Sequence, residues 1–464
     1  MNVGLRSARH KALPFVLVSL LLTTAACGTR WSAAQRASVN ARYASAKSNA
    51  TGGVADTAGS DLSSSDTVPG ATSSGNAATG TATGAKNPSV AASANRPCAA
   101  PSNAPGVTAQ TLTTGTINTV SGPVPGLGET SQAAVRAYVA YRNATGGVCG
   151  RKIVLKTGDD GYENSRYRAL VVSMDPQILG ISGGLGTGDG GGVDVVEAKK
   201  IPVVSTATAD TFQASPMVFD INPPFANTHA VIGKYRWLYD HGVRTAALVY
   251  IDLAQVKTQV AQQRDQMEAV GIKVVYDKAV PLSTLSYDEA ARGVANSKAD
   301  YLFYPAAGNL NASMAKSMYD TGYKLKYGEY LTAYGSDFID MAGPAAEGAV
   351  SWTRALPNEE PNTTPEQTAF LTWMNRAAPG VAADTFAADA WSAAKAFFDA
   401  VSALPGPISR DAVLAQLRSV ATFDAGGFFG PIQLGKKLSN GCVIGMQVVN
   451  QKWQRFAPDR GFLC

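Results

Sequence analysis

The glycine-rich loop from Gly183 to Gly192 has the residue types and the spacing that most suggest chemistry. Its run Gly186-Thr187-Gly188-Asp189-Gly190-Gly191 satisfies G-x-G-x-x-G between a predicted strand and a predicted helix, and Asp210 follows about 20 residues later. This pattern is typical of dinucleotide sites. However, the loop follows the third predicted strand rather than the first, and matches arise by chance in a run so rich in glycine. A dinucleotide-dependent enzyme is therefore a remote alternative.

Side chains that could act as a general base or nucleophile are scarce. The histidines are His10, His229 and His241, and the last two lie on or beside a predicted surface helix. Asp159 and Asp160 could imitate a catalytic pair, but adjacent residues of a strand point to opposite faces, so a solvated strand end is favoured. The sequence has neither a Cys/His metal spacing nor a G-x-S-x-G elbow. It favours a binding protein without metal or cofactor over an enzyme.

The stretch from Thr111 to Asp160 predicts a strand, a helix beginning at Glu129 or Thr130, and a second strand. Such βαβ units build parallel sheets that bind ligands beyond the carboxyl ends of their strands. The alternation continues, so we expect an α/β fold of two doubly wound, Rossmann-like lobes. VFDINPP predicts the first crossing between lobes. Residues 348–354 should return the chain to the first lobe as a strand, and CVIGMQVVNQKW should form the last strand.

The first 105 residues predict an export signal and a tether. Arg6, Arg9 and Lys11 precede the apolar run LPFVLVSLLL, which is short for a membrane span, and small residues then lead to Cys27. The segment resembles a bacterial lipoprotein signal in which Cys27 is diacylated, with ordinary secretion as the alternative. Residues 27–105 are mostly Ala, Ser, Thr and Gly, which predicts a flexible spacer between anchor and domain.

Charge and cysteine count narrow the class of protein further. The net charge is +5, part of it in the signal, and no basic patch interleaved with aromatic residues suggests a nucleic acid partner. Cys98, Cys149, Cys442 and Cys464 are an even set in an exported chain, which predicts two disulfides. Among the possible connectivities we favour Cys98–Cys149 and Cys442–Cys464, with free buried thiols as the alternative.

An ordered set of short motifs resembles the opening of the type I periplasmic binding proteins. The set comprises Ser121-Gly122-Pro123-Val124, Gly128, the run from Ala144 to Ile153, and Asp159-Asp160. It is most similar to the leucine/isoleucine/valine-binding receptors of ABC transporters, and the run from Phe386 to Ala390 resembles a helix of their first lobe. The resemblance implies two lobes, joined by a three-strand hinge, that close on a small solute.

In the first lobe, the resemblance implies that the glycine loop exposes backbone N–H groups to a ligand's carboxylate or other acceptor. Relatives have a serine cluster there, whereas this loop keeps only Ser182 and Thr187, so backbone donors would carry more of the binding. A loop without ligand contact is the alternative, and a helix cap is the alternative for the segment ending at Thr208. The implied ligand residues are Ser121, Leu127, Gly184, Leu185, Gly186, Thr187, Thr206, Ala207 and Thr208.

In the second lobe, the resemblance implies ligand contacts by Tyr304, Ala307 and Tyr334, at strand ends that face the cleft. Relatives tend to have a glutamate, the partner of an amino acid's ammonium, at the position of Tyr334. Because burying an ammonium without a carboxylate is costly, the sequence points to a less charged ligand, such as an amide or an aromatic acid. Trp352 could complete the pocket. Core packing explains any of these aromatic residues equally well.

The sequence as a whole predicts the following segments: a signal over 1–26, a tether over 27–105, the first part of lobe one over 106–222, lobe two over 223–347, and a return to lobe one with hinge segments over 348–464. The predicted function is capture of an amino acid, amide or aromatic acid for the permease of an ABC importer. The receptor would be a monomer on the outer face of the cytoplasmic membrane. A subunit that reports its ligand to a signalling partner is the alternative.

Overall fold

The computed structural model describes residues 97–124, 126–222, 233–306 and 308–464. The predicted signal, most of the tether, Cys27 and Ala307 lie outside the described residues. Among the described helices, none combines the length and the apolarity that a membrane crossing requires.

Strands and helices alternate along most of this chain, as the sequence predicts. The strands are β1 (Thr111–Asn118), β2 (Lys152–Asp159), β3 (Ile181–Leu185), β4 (Val203–Thr206), β5 (Val218–Asp220), β6 (Thr245–Ile251), β7 (Lys273–Val280), β8 (Tyr301–Tyr304), β9 (Tyr327–Tyr330), β10 (Ala349–Thr353), β11 (Ile432–Gln433), β12 (Leu438–Ser439), β13 (Ile444–Val449) and β14 (Lys452–Ala457). The α-helices are α1 (Glu129–Ala144), α2 (Asn164–Met174), α3 (Val193–Ala198), α4 (Asp210–Ala214), α5 (Gly233–Asp240), α6 (Ala254–Ala269), α7 (Asp288–Ser297), α8 (Asn309–Asp320), α9 (Phe338–Ala342), α10 (Pro365–Ala377), α11 (Thr385–Ser402) and α12 (Arg410–Ser419).

Two separate sheets confirm the predicted pair of lobes. The first is a five-stranded parallel sheet in the order β2-β1-β3-β4-β5. The second is a seven-stranded sheet in the order β14-β13-β10-β9-β8-β6-β7, and its β13 and β14 run antiparallel to their neighbours. In both lobes the strand order reverses direction beside the first strand, which is the topology of doubly wound folds.

Helix α11 forms the centre of the first lobe's core although it lies late in the sequence. It packs against α1, β3 and β4, and it buries residues on almost every side, including Trp391. The Trp391 ring meets Tyr138 of α1 edge to face, with the centroids 4.9 Å apart. The chain therefore returns to the first lobe through helices, which complete a layer over the five-stranded sheet.

Two predictions for the C-terminal part are wrong in detail. The segment 348–354 was expected to enter the first lobe's sheet, but β10 pairs with β9 and β13 in the second. The expected single strand at the end is a hairpin, β13–β14, turned at Asn450 and Gln451, which have φ values of 52° and 58°. Both errors concern long-range pairing, which an apolar, β-branched run does not specify by itself.

Two of the crossings between the lobes are paired with each other. The predicted first crossing, residues 218–224, begins with β5, which belongs to the first sheet, and its last two residues lie outside the described ranges. The second follows β10 and the third follows α12, and these two are bridged in antiparallel fashion at Ala355 and Phe429. Next to the bridge, Gly430 N–H donates to the Arg354 carbonyl at 2.7 Å. The second and third crossings are therefore bound to each other as a short ribbon.

The side chain of Arg354 ties this ribbon to the first lobe. Its guanidinium donates to the carboxylate of Asp389 in α11, and Asp389 is only 1% exposed. Burial raises the pKa of Asp389, and the charge of Arg354 opposes that rise. The same guanidinium also favours the ionised form of Asp220, at the end of β5 just before the first crossing. Arg354 thus interacts with the first lobe at two of the places where the chain leaves or re-enters it.

Both predicted disulfides are confirmed. Cys98 bonds to Cys149 and Cys442 bonds to Cys464, with Cα–Cα distances of 5.7 and 4.0 Å. The first bond fixes the start of the described chain to the turn between α1 and β2, and Arg151 reinforces it. The buried guanidinium of Arg151 donates to five backbone carbonyls, those of Cys98, Ala99, Ala100, Thr108 and Cys149.

We expect Arg354→Leu to lower the free energy of unfolding by about 3–5 kcal/mol at pH 8, because it leaves the buried Asp389 without its cation. The loss should be smaller at pH 5, where the isolated carboxyl can be neutral. Denaturant unfolding at both pH values measures the effect. Arg354→Lys, which keeps a positive charge, is the matched control and should lose less. Equal stability of the Leu and Lys variants would contradict this role for the ion pair.

Candidate functional site

The carboxyl ends of β1 to β4 meet at one edge of the first sheet and bring the predicted loops into contact. Thr187 Oγ1 lies 2.8 Å from Thr119 Oγ1, after β1. Thr208 Oγ1 lies 3.4 Å from the carbonyl oxygens of Gly186 and Thr187. Ser121, Thr187 and Thr208 are all half-buried. Three of the predicted first-lobe residues, Ser121, Thr187 and Thr208, thus lie at this edge beside Thr119, which is fully buried. We call these four residues the hydroxyl wall.

Asp160 is buried in this wall, which corrects the expectation of a solvated strand end. It is fully buried, and its carboxylate accepts from Thr119 Oγ1 at 2.7 Å, Gly188 N at 2.8 Å and Tyr162 N at 3.1 Å. Thr187 N donates to Thr119 Oγ1 at 2.8 Å. The glycine loop was predicted to offer backbone donors to a ligand. At Thr187 and Gly188 those donors are instead used within the lobe.

Asp159 holds the loop after β1 from the other side. Its carboxylate accepts from the N–H groups of Val120, Ser121 and Gly161 at 2.9, 3.1 and 3.0 Å, and from Ser121 Oγ at 2.6 Å. Burial alone would raise the pKa of Asp159, but the hydrogen bonds from Ser121, Val120 and Gly161 outweigh it and lower the pKa. Asp159 is therefore a firmly ionised support for Ser121.

Asp189, within the glycine loop, fixes the segment after β4. It is 1% exposed and accepts from Thr208 N at 2.6 Å, Thr208 Oγ1 at 2.9 Å and Ala209 N at 3.0 Å. Burial raises its pKa to about 7 although these hydrogen bonds oppose the rise. Helix α4 has Ala209 as its N-cap and no side-chain cap. The hydroxyl of Thr208 is thus bonded to Asp189 and does not cap α4.

Asp220, at the end of β5, supports the neighbouring loop in the same way. Its buried carboxylate accepts from Ala207 N at 3.2 Å and Asn222 N at 2.8 Å, and also from the amide of Gln213. Burial raises its pKa to about 6, and the hydrogen bonds and Arg354 oppose the rise. The segment Thr206–Thr208 is therefore held by two aspartates, one on each side.

The glycines of the G-x-G-x-x-G run have a packing role. A Cβ at position 188 would lie 2.4 Å from the carbonyl oxygen of Glu163, and one at position 191 would lie 2.0 Å from that of Asn164. Both contacts are with backbone at the start of α2, so only glycine allows the loop to pass this close. This explains the glycine pattern without a dinucleotide.

The predicted second-lobe residues are more deeply buried than expected. Tyr304 is fully buried, and its ring packs against Tyr287 and Tyr330. Trp352 is 4% exposed and lies against the ring of Phe456. Tyr304 and Trp352 therefore fit the alternative in which these aromatic residues pack in the core. Leu127, just before α1 in the first lobe, is half-buried.

Tyr334 lies where the two lobes touch. Its hydroxyl donates to Glu359 Oε2 at 2.7 Å and accepts from Asn358 N at 2.6 Å, both on the second crossing. The Asn358 side chain then donates to the carbonyl of Ala383, at the start of α11, at 2.8 Å. A Cβ at Gly335 would lie 2.9 Å from that same carbonyl oxygen. The strand end of the second lobe thus meets the first lobe directly at this point.

A cavity of about 500 Å³ lies elsewhere, between the second and third crossings and the C-terminal hairpin. Leu356 and Phe429 contribute apolar walls, and Glu360 and Arg455 at its rim bond to each other at 2.6 and 2.7 Å. It is lined by none of the predicted ligand residues. Within the described ranges, no group of His, Cys, Asp and Glu side chains could hold a metal ion.

Sequence reasoning missed Thr119, Asp160 and Asp189 as parts of the site. Asp160 was available as a signal, because it ends a predicted strand within the family motif and polar residues there face the ligand edge. Asp189 was assigned only to the glycine pattern. Its bonds join residues 19 and 20 positions apart in the sequence, a pairing that no local pattern reveals.

We expect Asp189→Asn to change how stability depends on pH. An ordinary Asp has a pKa of 3.8, whereas Asp189 has one of about 7 in the folded chain. The native state therefore binds the extra proton, and the stability from this group is full below pH 4 and lost as pH rises through 7. Over this range the wild type should lose up to about 4 kcal/mol of unfolding free energy relative to the variant.

Denaturant unfolding at pH steps from 4.5 to 8 measures this difference. Asp194→Asn, at an exposed carboxylate on the neighbouring helix α3, is the matched control and should leave the pH profile nearly unchanged. Parallel profiles for wild type and Asp189→Asn would show that Asp189 titrates like an exposed carboxyl.

Comparison with known proteins agrees with this architecture. The family described as periplasmic binding protein matches residues 111–452. A fatty acid ABC transporter substrate-binding protein from Thermomonospora curvata superimposes with a TM-score of 0.65 at 19% identity, covering 77% of this chain and 95% of that one. A solute-binding protein from R. palustris in complex with benzoate gives a TM-score of 0.60 at 20% identity, with coverages of 76% and 96%.

A putative branched-chain amino acid ABC transporter protein from Rhodospirillum rubrum gives a TM-score of 0.54 at 18% identity and covers 75% of this chain and 100% of that one. Comparison with curated proteins gave no significant match. The family match spans both lobes and the crossings between them, and the solved structures share the same two-lobe fold. The chain belongs to the periplasmic binding protein family, in its type I form.

Proposed function

We propose that this protein is the extracytoplasmic solute receptor of an ABC importer and captures a small organic solute by closure of its lobes. The observation that carries the proposal is the contact between the ligand edges of the two lobes, from Tyr334 through Asn358 to Ala383. Two crossings paired as a ribbon allow the lobes to hinge about this edge. Binding would shift an open–closed equilibrium without making or breaking a bond.

The solute class proposed is amino acid, amide or aromatic acid. The names of three structural neighbours mention a fatty acid, a branched-chain amino acid and benzoate. These names support a fold that accommodates small solutes of differing polarity. Closure would present both lobes to a membrane permease. The predicted ligand residues outside the hydroxyl wall, including Ala307, stay part of this proposal.

We expect saturable thermal stabilisation of the purified protein by at least one member of a panel of amino acids, their amides and aromatic acids. A ligand at 100 times its Kd adds about 2.7 kcal/mol to the unfolding free energy, which is a shift of a few degrees in Tm for a domain of this size. Thermal melts at rising ligand concentration make the measurement. Stabilisation by NAD, with none from the panel, would contradict the receptor function.

We also propose that Cys27 is diacylated and that the predicted tether, residues 27–105, links it to the receptor at the outer face of the cytoplasmic membrane. The last residues of this segment, from Cys98, are fixed to the first lobe by the disulfide and by Arg151. Diacylation would hold the chain there with two acyl chains, which is enough for stable anchoring. We expect Cys27→Ser to move the protein from the membrane fraction to the soluble exported fraction. Cys98→Ser, which removes a disulfide cysteine but leaves the signal intact, is the control and should stay with the membrane. Soluble wild-type protein would contradict lipid anchoring.

A further inference from the structure

The direction of the hydrogen bonds in the hydroxyl wall determines what kind of ligand group it can bind. A hydroxyl has one proton to donate and two lone pairs that accept. If its proton already points to a group inside the protein, the hydroxyl can only accept from a ligand. The bonds of Ser121, Thr119, Thr187 and Thr208 can be followed one by one.

Ser121 and Thr119 donate to carboxylates that lie behind the wall. Ser121 Oγ donates to Asp159 at 2.6 Å, and Thr119 Oγ1 donates to Asp160 at 2.7 Å. An ionised carboxylate can only accept hydrogen bonds. The protons of these hydroxyls therefore point inward.

Thr208 follows the same rule. Its Oγ1 donates to Asp189 Oδ1 at 2.9 Å, and its other close neighbours are the carbonyl oxygens of Gly186 and Thr187 at 3.4 Å. The two carbonyl oxygens are acceptors, and so is Asp189 in its ionised form, so in that form the proton of Thr208 is used within the lobe whichever of them it faces.

Thr187 completes the set. Its Oγ1 and Thr119 Oγ1 are 2.8 Å apart, and either could be the donor by distance alone. Thr119 has already given its proton to Asp160, so Thr187 must donate in this pair. Ser121, Thr187 and Thr208, the three hydroxyls of the wall that are partly exposed, then have only lone pairs left for a ligand.

Three backbone N–H groups of the wall segments are committed in the same way. Thr187 N–H donates to Thr119 Oγ1, Ala207 N–H to Asp220 and Thr208 N–H to Asp189. Asp159 forms an ion pair with the exposed side chain of Arg166 at 3.4 Å. A carboxylate brought to this wall would meet lone pairs, with three ionisable carboxyls behind them.

We propose that the hydroxyl wall binds an N–H donor of the ligand, an ammonium or a primary amide, and excludes a ligand carboxylate. This inference rests on the proposed receptor function and narrows its solute class. Ser121, Thr187 and Thr208 accept directly from the ligand, while Asp159, Asp160 and Asp189 act as positioning residues that fix the direction of the hydroxyls. Any carboxylate on the ligand must be turned away from the first lobe.

The test uses compounds that share a carbon skeleton and differ in one polar group. Isoamylamine, isovaleramide and isovalerate form one set, and benzylamine, benzamide and benzoate form another. Isothermal titration of the purified chain gives the Kd of each. We expect the amine or the amide of a set to bind at least tenfold more tightly than the carboxylate.

Tighter binding of the carboxylates would overturn this inference and leave the receptor function standing. If none of the six compounds and none of the amino acids bound, both would fall. These two outcomes are distinguishable in one series of titrations.

Substitution at position 187 tests the wall itself. Thr187→Val removes one acceptor and keeps the backbone bond to Thr119, so amine binding should weaken about tenfold or more, as expected for one hydrogen bond to a charged donor. Thr187→Ser keeps the hydroxyl and should bind the amine like wild type. Unchanged amine binding in the Val variant, with its Tm intact, would overturn the inference.

Ser121→Ala provides an independent variant if the Val variant does not fold. The N–H groups of Val120, Ser121 and Gly161 still bond to Asp159 in this variant, so the loop keeps its supports. We expect the same loss of affinity for the amine and no increase in affinity for the carboxylate. A gain for the carboxylate without a loss for the amine would contradict the acceptor role of Ser121.

Discussion

The structure of the first lobe depends on how its strand ends satisfy their backbone N–H groups. Parallel strands that end in loops leave such groups without a ladder partner, and buried N–H groups must be hydrogen-bonded. Here Asp159, Asp160, Asp189 and Asp220 supply the acceptors, each for the loop beside it. The aspartates therefore fix the loop shapes and, through the same bonds, the direction in which the hydroxyls face.

This solution differs from a helix N-terminus that waits for an anion. A free N-terminal turn offers donors, and a ligand carboxylate completes it. In this lobe an internal carboxylate, Asp160, already occupies that place at Gly188. In the proposed binding site the polarity would therefore be reversed relative to a simple anion site, although the backbone topology is that of its family.

Much of the fold follows from the sequence because the signals are local. Strand–helix alternation and the start of α1 at Glu129 could be predicted from short segments. The favoured pairing of the cysteines, one of several possible connectivities, is also confirmed. The placement of β10 and the split of the last strand could not, since each depends on which distant strand is the neighbour. The burial of Asp160 and Tyr304 depends on packing by remote segments, so it could not be predicted from their positions in the motifs alone.

The Cys98–Cys149 bond and the Arg151 contacts also have a mechanical consequence. A pull on the chain ahead of Cys98 would pass through a covalent link into the turn between α1 and β2. The load would thus be borne by the first lobe alone, at the amino ends of its strands. The second lobe would lie outside the path of this load.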